Sequence, residues 1–182
     1  MKNRKWLDFV AILLVSLLVV SASAAIYYAM LAQSTATLKP AAVYFTPGLD
    51  STGILTLGAN NTYVSLNLDA YPNVTLYYDQ AVNLTATAAK QVRLRHVSIS
   101  PIDGNPDVSN FTSIVFRLLA ADGTEMGALS YTTTGDNWNE PTQTNYFAMG
   151  AGAEWTIKVE IKATAGGNAN IAATIVIGVD VT

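Results

Sequence analysis

The apolar segment at residues 7–31 most constrains what this chain can fold into, because the sequence after it reads as short β-strands. Left uncut, a segment of about 25 apolar residues is long enough to cross a bilayer as a helix. Cut near Ala24, it becomes an export signal followed by an apolar arm. The position of the cut therefore decides which class of protein the sequence encodes.

Residues 1–24 have the order of parts found in a secretory signal peptide. A basic stretch that ends at Lys5 precedes the apolar run 10–20. Small residues follow, with Ala22 and Ala24 at the −3 and −1 positions of a cut after Ala24. We therefore predict a signal peptide that is removed on export.

Two other interpretations of this segment stay open. An uncleaved segment would anchor a cell-surface binding module, with the basic residues held in the cytoplasm. A cut between the basic residues and the apolar run would give a type IV pilin-like subunit with an N-terminal helical core. Residues 4–7 lack the small residue that usually precedes such a cut.

Residues 25–40 would form an apolar arm on the mature chain. Ile26, Tyr28, Met30 and Ala32 share one face of an extended strand, since side chains alternate with a period of two. An arm this apolar needs a groove. It is either the first strand of its own sandwich or a donor strand that completes the sheet of a neighbouring subunit. A head-to-tail contact of the second kind propagates as a filament.

Residues 41–182 predict an all-β domain with around ten strands, a jelly-roll-like β-sandwich. A polar pair at 79–80 predicts a turn, and the aperiodic stretch 132–144 predicts a long surface loop. Within that loop, Trp138 is either an interface residue or an ordinary buried side chain. The candidate strands are 42–46, 53–57, 62–68, 74–78, 82–87, 91–99, 113–119, 155–162 and 171–181.

The composition excludes several function classes. The predicted mature chain keeps 7 basic and 12 acidic residues, which is too few clustered cations for a nucleic-acid partner. No catalytic constellation is readable, so we expect neither an enzyme nor a cofactor. The chain has no cysteine, so packing or assembly must stabilise it if it is exported. A membrane-tethered module would use Trp138, Tyr131 and Tyr146 as candidate carbohydrate contacts.

Two polar features invite a metal interpretation, and for both we expect a structural role and no metal. His96 is the only histidine, and no nucleophile–base motif accompanies it. Residues 103–107 carry oxygen ligands at alternate positions, like the start of a calcium loop. Val108 and Ile114 occupy the places where that loop needs Gly and Glu, which favours a polar turn.

Four Asn-X-Ser/Thr sequons mark candidate N-glycosylation sites of an exported chain. They lie near predicted strand ends or at outward positions of the β-domain. Their acceptor residues are Asn60, Asn73, Asn83 and Asn110.

The order of these parts resembles the archaeal bundling pilins, which are similar to the TasA-type fibre proteins of bacterial biofilm matrices. The matching parts are the signal at 2–24, the apolar arm at 25–38 and a cysteine-free, Thr- and Asn-rich β-domain from 41 onwards. The resemblance implies identical subunits that polymerise head to tail by inserting their arms. It also implies extracellular, cell-surface filaments that bundle laterally and hold cells in biofilms, with membrane contact only during export.

Overall fold

The computed structural model describes residues 10–14, 40–168 and 171–182. The chain separates into two units, residues 1–39 and 40–182. In the first unit, residues 10–14 are helical. Across the described residues, no helix has both the length and the apolar character that crossing a bilayer requires. The donor-face residues of the predicted arm (Ile26, Tyr28, Met30 and Ala32) and the predicted cut lie outside the described residues.

Strands β1 to β11 make up most of the second unit as the structure describes it. Short 3₁₀ turns at Ala59–Asn61 and Pro106–Asn110 precede β3 and β6. The strands are β1 Val43–Pro47, β2 Leu55–Leu57, β3 Tyr63–Ala70, β4 Thr75–Ala86, β5 Lys90–Ser100, β6 Phe111–Leu119, β7 Glu125–Thr134, β8 Asn137–Asn139, β9 Phe147–Met149, β10 Glu154–Ala163 and β11 Ile171–Val181.

The strands form two antiparallel sheets. One has six strands in the order β1-β4-β10-β6-β7-β8, and the other has five in the order β2-β3-β11-β5-β9. The chain passes repeatedly from one sheet to the other, at β1–β2, β3–β4, β4–β5, β5–β6, β8–β9, β9–β10 and β10–β11. These crossings confirm the predicted all-β, jelly-roll-like sandwich.

The core lies between the inner faces of the two sheets. In β10, Trp155, Ile157, Val159 and Ile161 are each no more than 6% exposed, and the residues between them are wetter. This is the two-residue period that the sequence predicts for 155–162. Burying each such apolar side chain contributes about 1.5–3 kcal/mol, so the alternation fixes which face of the strand points inward.

The predicted turn at 79–80 is wrong, because β4 runs unbroken from Thr75 to Ala86. The pairing of β4 with β10 shifts register between Ile157 and Val159. This β-bulge absorbs the polar residues within one strand and lets the consecutive side chains Ala81 and Val82 both enter the core. The polar pair Asp79-Gln80 therefore forms a bulge within one strand and not a turn between two strands.

The predicted surface loop at 132–144 is wrong in its first half. Strand β7 continues to Thr134, and β8 returns beside it, with Thr132 paired to Asn139. Gly135 provides the positive φ of 59° that the tight connection requires. Trp138 is only 6% exposed, so it is an ordinary buried side chain and not an exposed interface residue.

Candidate assembly site

Strand β1 covers only half of β4 at one edge of the six-stranded sheet. Its five residues pair antiparallel with β4 from Val43 opposite Ala86 to Pro47 opposite Val82. The first part of β4, from Thr75 to about Gln80, extends beyond the end of β1.

The local sequence explains why β1 stops at this point. Pro47 has no backbone N–H and so cannot donate to a ladder. Gly48 then passes so close to β4 that a Cβ atom on it would lie 1.9 Å from the carbonyl oxygen of Gln80. Asp50 closes the connection, because its N–H donates to that carbonyl and its carboxylate accepts the N–H of Gln80, both at 3.0 Å.

We call the outer edge of β4 from Thr75 to Asp79 the open edge. Within the described part of the chain, no strand pairs with it. An unpaired strand edge carries N–H and C=O groups that form a template for another strand. Natural sheets usually shorten, cover or charge such edges, which makes this one a candidate site of assembly.

The direction of the backbone groups follows from the ladder. The N–H of Ala86 donates to the carbonyl of Ala153 at 3.0 Å, which sets the alternation along β10. By that alternation, Tyr78 turns its backbone groups towards its partner Val159. Its neighbour Tyr77 therefore directs its N–H and C=O outward, where a sixth backbone ladder of this sheet would form.

The side chains along the open edge are half-covered. Leu76 and Tyr78 face the core but are only partly buried. On and next to the edge, Tyr77 is 56% exposed, Tyr71 44% and Val74 43%. The sandwich thus presents an incompletely covered apolar corner at the place where its backbone edge is unpaired.

Tyr78 joins the two sheets at this corner. Burial raises the pKa of its phenol, and the negative charge of Asp69 in β3 raises it further, while a hydrogen bond to the backbone of Asp69 acts in the opposite direction. On the outer face, the ammonium of Lys158 lies 5.0 Å from the ring centroid of Tyr77 and also pairs with Asp79. The corner therefore has an apolar inner side and a charged outer side.

The chain joins the domain at the opposite end of β4. The N–H of Thr87 donates to the carbonyl of Ala42 at 2.8 Å, which places the residues before β1 beside the end of β4 at Ala86. The whole length of β1 therefore separates Ala42 from the open edge along β4.

The four sequons occupy different environments. Asn60 and Asn73 are exposed in turns, with positive φ angles of 56° and 59°. Asn83 is half-buried and donates to Glu154 at 2.6 Å. Asn110 is 8% exposed, and its side-chain amide bonds to two backbone groups. Glycosylation stays a prediction, and the folded domain presents Asn60 and Asn73 best.

His96 connects the sheets at the edge away from β1. Its Nδ1 lies 3.0 Å from the hydroxyl of Tyr131 in the other sheet, and its Nε2 lies 3.3 Å from the carboxylate of Glu140. Tyr131 is fully buried, and this contact gives its hydroxyl a hydrogen-bond partner. The geometry gives His96 a structural place between the sheets.

Alkaline conditions are expected to destabilise the fold through Tyr131. Burial, and then the charge of Glu140, raise its pKa above the ordinary tyrosine value of about 10. Above that pH the unfolded chain binds fewer protons than the folded one, so the free energy of unfolding falls by about 1.4 kcal/mol per pH unit. In urea titrations from about pH 9 to about pH 11, Tyr131→Phe should show a shallower decline than the exposed control Tyr63→Phe. Equal slopes would contradict this assignment.

Residues 103–107 form a polar turn. The carboxylate of Asp103 accepts a hydrogen bond from the backbone N–H of Trp138 at 2.7 Å. The side-chain oxygen of Asn105 accepts one from the backbone N–H of Asp107 at 2.9 Å. Throughout residues 10–14, 40–168 and 171–182, no three or more His, Cys, Asp or Glu side chains come together as a metal site. The carboxylate of Asp103 thereby holds this turn against the β7–β8 hairpin.

The aromatic residues of the carbohydrate-binding alternative do not form one surface. Trp138 and Tyr131 are buried and pack edge to face, with ring centroids 6.5 Å apart. Tyr146 is 41% exposed, and the guanidinium of Arg93 lies 4.6 Å from its ring centroid. The arrangement therefore lacks the exposed aromatic platform that this alternative requires.

Comparisons with known proteins add a distant structural neighbour. No protein-family model and no curated protein matches the sequence. Among solved structures, the Streptococcus agalactiae AgI/II polypeptide BspA variable (V) domain is 17% identical, with a TM-score of 0.23. That match covers 82% of this chain and 78% of the other. A TM-score this low does not establish a common fold.

Proposed function

We propose that this chain is a structural, non-enzymatic subunit of an extracellular filament, in which the N-terminal arm of each subunit completes the sheet of the next. The observation that carries the proposal is the open edge of β4, next to an incompletely covered apolar corner. The same chain carries an apolar arm of complementary character at residues 25–38. One molecule thus has both parts of a strand-addition contact.

The expected energetics suit a stable polymer. Added main-chain hydrogen bonds each contribute about 0.5–1.5 kcal/mol, and pockets for alternate side chains supply the selectivity. Apolar arm residues that reach the partly buried Leu76 and Tyr78 would contribute about 25 cal/mol for each Å² removed from water. Neither domain nor arm has a cysteine, so no disulfide can join the subunits.

The wider biological role follows from the signal-like N-terminus and from the resemblance to bundling pilins. We propose cell-surface filaments that associate laterally and promote cell–cell adhesion and biofilm formation. Glycans at Asn60 or Asn73 would decorate their exposed turns. The pilin-like and membrane-anchored alternatives predict other N-termini, at about residue 7 and at Met1, and N-terminal sequencing of the surface protein distinguishes them from a start near Ala25.

Deleting residues 25–38 is expected to abolish filament formation. The purified mature chain should form filaments visible by negative-stain electron microscopy. The deletion variant should remain monomeric in size-exclusion chromatography, because it keeps the open edge but has no strand to place on another subunit. Filaments that persist unchanged after the deletion would overturn the proposal.

A further inference from the structure

We infer that the open edge receives the arm of a second copy of this chain, running antiparallel to β4 and in line with the β1 strand of the acceptor. This inference rests on the proposed function.

The two ends of the open edge differ, and this difference sets the direction. At the Asp79 end, the connection after β1 closes the edge through the hydrogen bonds between Asp50 and Gln80. At the Thr75 end, the short turn 71–74 precedes β4, and the N–H of Val74 donates to the carbonyl of Tyr71 within that turn. A bound arm therefore leaves past Thr75. Since β4 begins there, an arm that leaves in its own N-to-C direction is antiparallel to β4.

The direction of β1 makes the assembly polar. Strand β1 is also antiparallel to β4 and runs from Ala86 towards Val82. A bound arm continues along the same line and then leads into the β1 of its own domain. Every subunit then has the same orientation along the filament axis.

The alternation of the arm assigns its faces. Five residues of open edge need only about 17 Å of strand, whereas the 14 residues of 25–38 extend to about 46 Å, so the arm is long enough. The face with Tyr28 and Met30 is apolar from Ile26 to Ala32, whereas the other face ends in the polar Gln33. The apolar face would therefore cover the apolar corner at Leu76 and Tyr78. The opposite face, with Tyr27, Ala29 and Leu31, would then lie beside the outward side chain of Tyr77.

Engineered disulfides test this arrangement without background, because the chain has no cysteine of its own. Tyr77→Cys is combined in turn with Tyr27→Cys, Ala29→Cys and Leu31→Cys. Directly opposed Cβ atoms lie about 4.5–5.5 Å apart across antiparallel strands, so a small approach brings them to the about 3.5–4.5 Å of a disulfide. After mild oxidation, at least one combination should give a ladder of covalent multimers on non-reducing denaturing gels. Intermolecular ladders exclude an arm that folds back on its own domain.

Two matched controls accompany the scan. Tyr28→Cys, on the other face of the arm, should give no ladder with Tyr77→Cys. Asn139→Cys, on β8 at the opposite edge of the same sheet, should give none with any arm cysteine. If Tyr77→Cys itself prevents assembly, Thr75→Cys replaces it, because it has the same outward alternation.

The outcomes separate the two proposals. Filaments whose arms never cross-link to Tyr77 or Thr75, or cross-link equally to Asn139, would overturn this inference and leave the proposed function standing. A mature wild-type chain that forms no filaments would overturn the proposed function itself. A ladder restricted to the Tyr27, Ala29 and Leu31 face supports both.

Discussion

Replacing Trp138 with alanine is expected to lower the free energy of unfolding by about 3–5 kcal/mol, a large part of the stability of a domain this size. The indole packs beside Phe111 and Tyr131, with ring centroids 5.6 and 6.5 Å away. Its Nε1 donates to the carbonyl of Pro101 at 2.9 Å. Alanine removes both the packing and this donor, and it leaves a cavity between the β7–β8 hairpin and the rest of the core.

Urea denaturation of the arm-deleted monomer is the appropriate measurement, because polymerisation then does not add to the apparent stability. Trp138→Phe serves as the matched control. It keeps an aromatic ring against Phe111 but loses the hydrogen bond to Pro101, so it should cost about 1–3 kcal/mol. A loss below about 1 kcal/mol for Trp138→Ala would show that the hairpin does not belong to the cooperative core.

The sequence predicted the strands whose side-chain pattern alone decides their structure. Residues 155–162 and 171–181 alternate or remain apolar over many positions, and the strands Glu154–Ala163 and Ile171–Val181 formed there. Trp138 was harder to place, since its neighbours are threonine, glycine and asparagine. These residues suit both a loop and a short hairpin, and only burial of the indole decides between them.

The open edge was not predictable from the sequence, because it is a property of pairing and not of any one segment. The sequence pattern of Thr75–Ala86 predicts two strands, because the bulge that makes them one strand depends on pairing with β10, nearly eighty residues further along the chain. The only local signal was the sequence Pro47-Gly48, where a short strand ends early. Which residues of β4 this ending leaves unpaired depends on the register of β1 on β4.

Introducing proline at position 77 is expected to block assembly while leaving the domain folded. The N–H of Tyr77 points outward, so proline removes a group from the open edge and not from the ladder between β4 and β10. An incoming arm loses one hydrogen bond and meets the pyrrolidine ring. A combined loss of about 2–3 kcal/mol corresponds to an increase of roughly 30- to 150-fold in the concentration needed for filaments.

Tyr77→Thr is the control, because threonine keeps the N–H and a good β-propensity but removes the aromatic ring. Sedimentation of filaments over a range of chain concentrations compares the two variants, and circular dichroism with urea denaturation establishes that both domains fold. Normal assembly of Tyr77→Pro would exclude the open edge as the acceptor. If Tyr77→Thr assembles as poorly as Tyr77→Pro, the contact depends on the tyrosine ring and not on a backbone ladder. Assembly by Tyr77→Thr and failure by Tyr77→Pro would identify strand addition as the interaction that joins subunits.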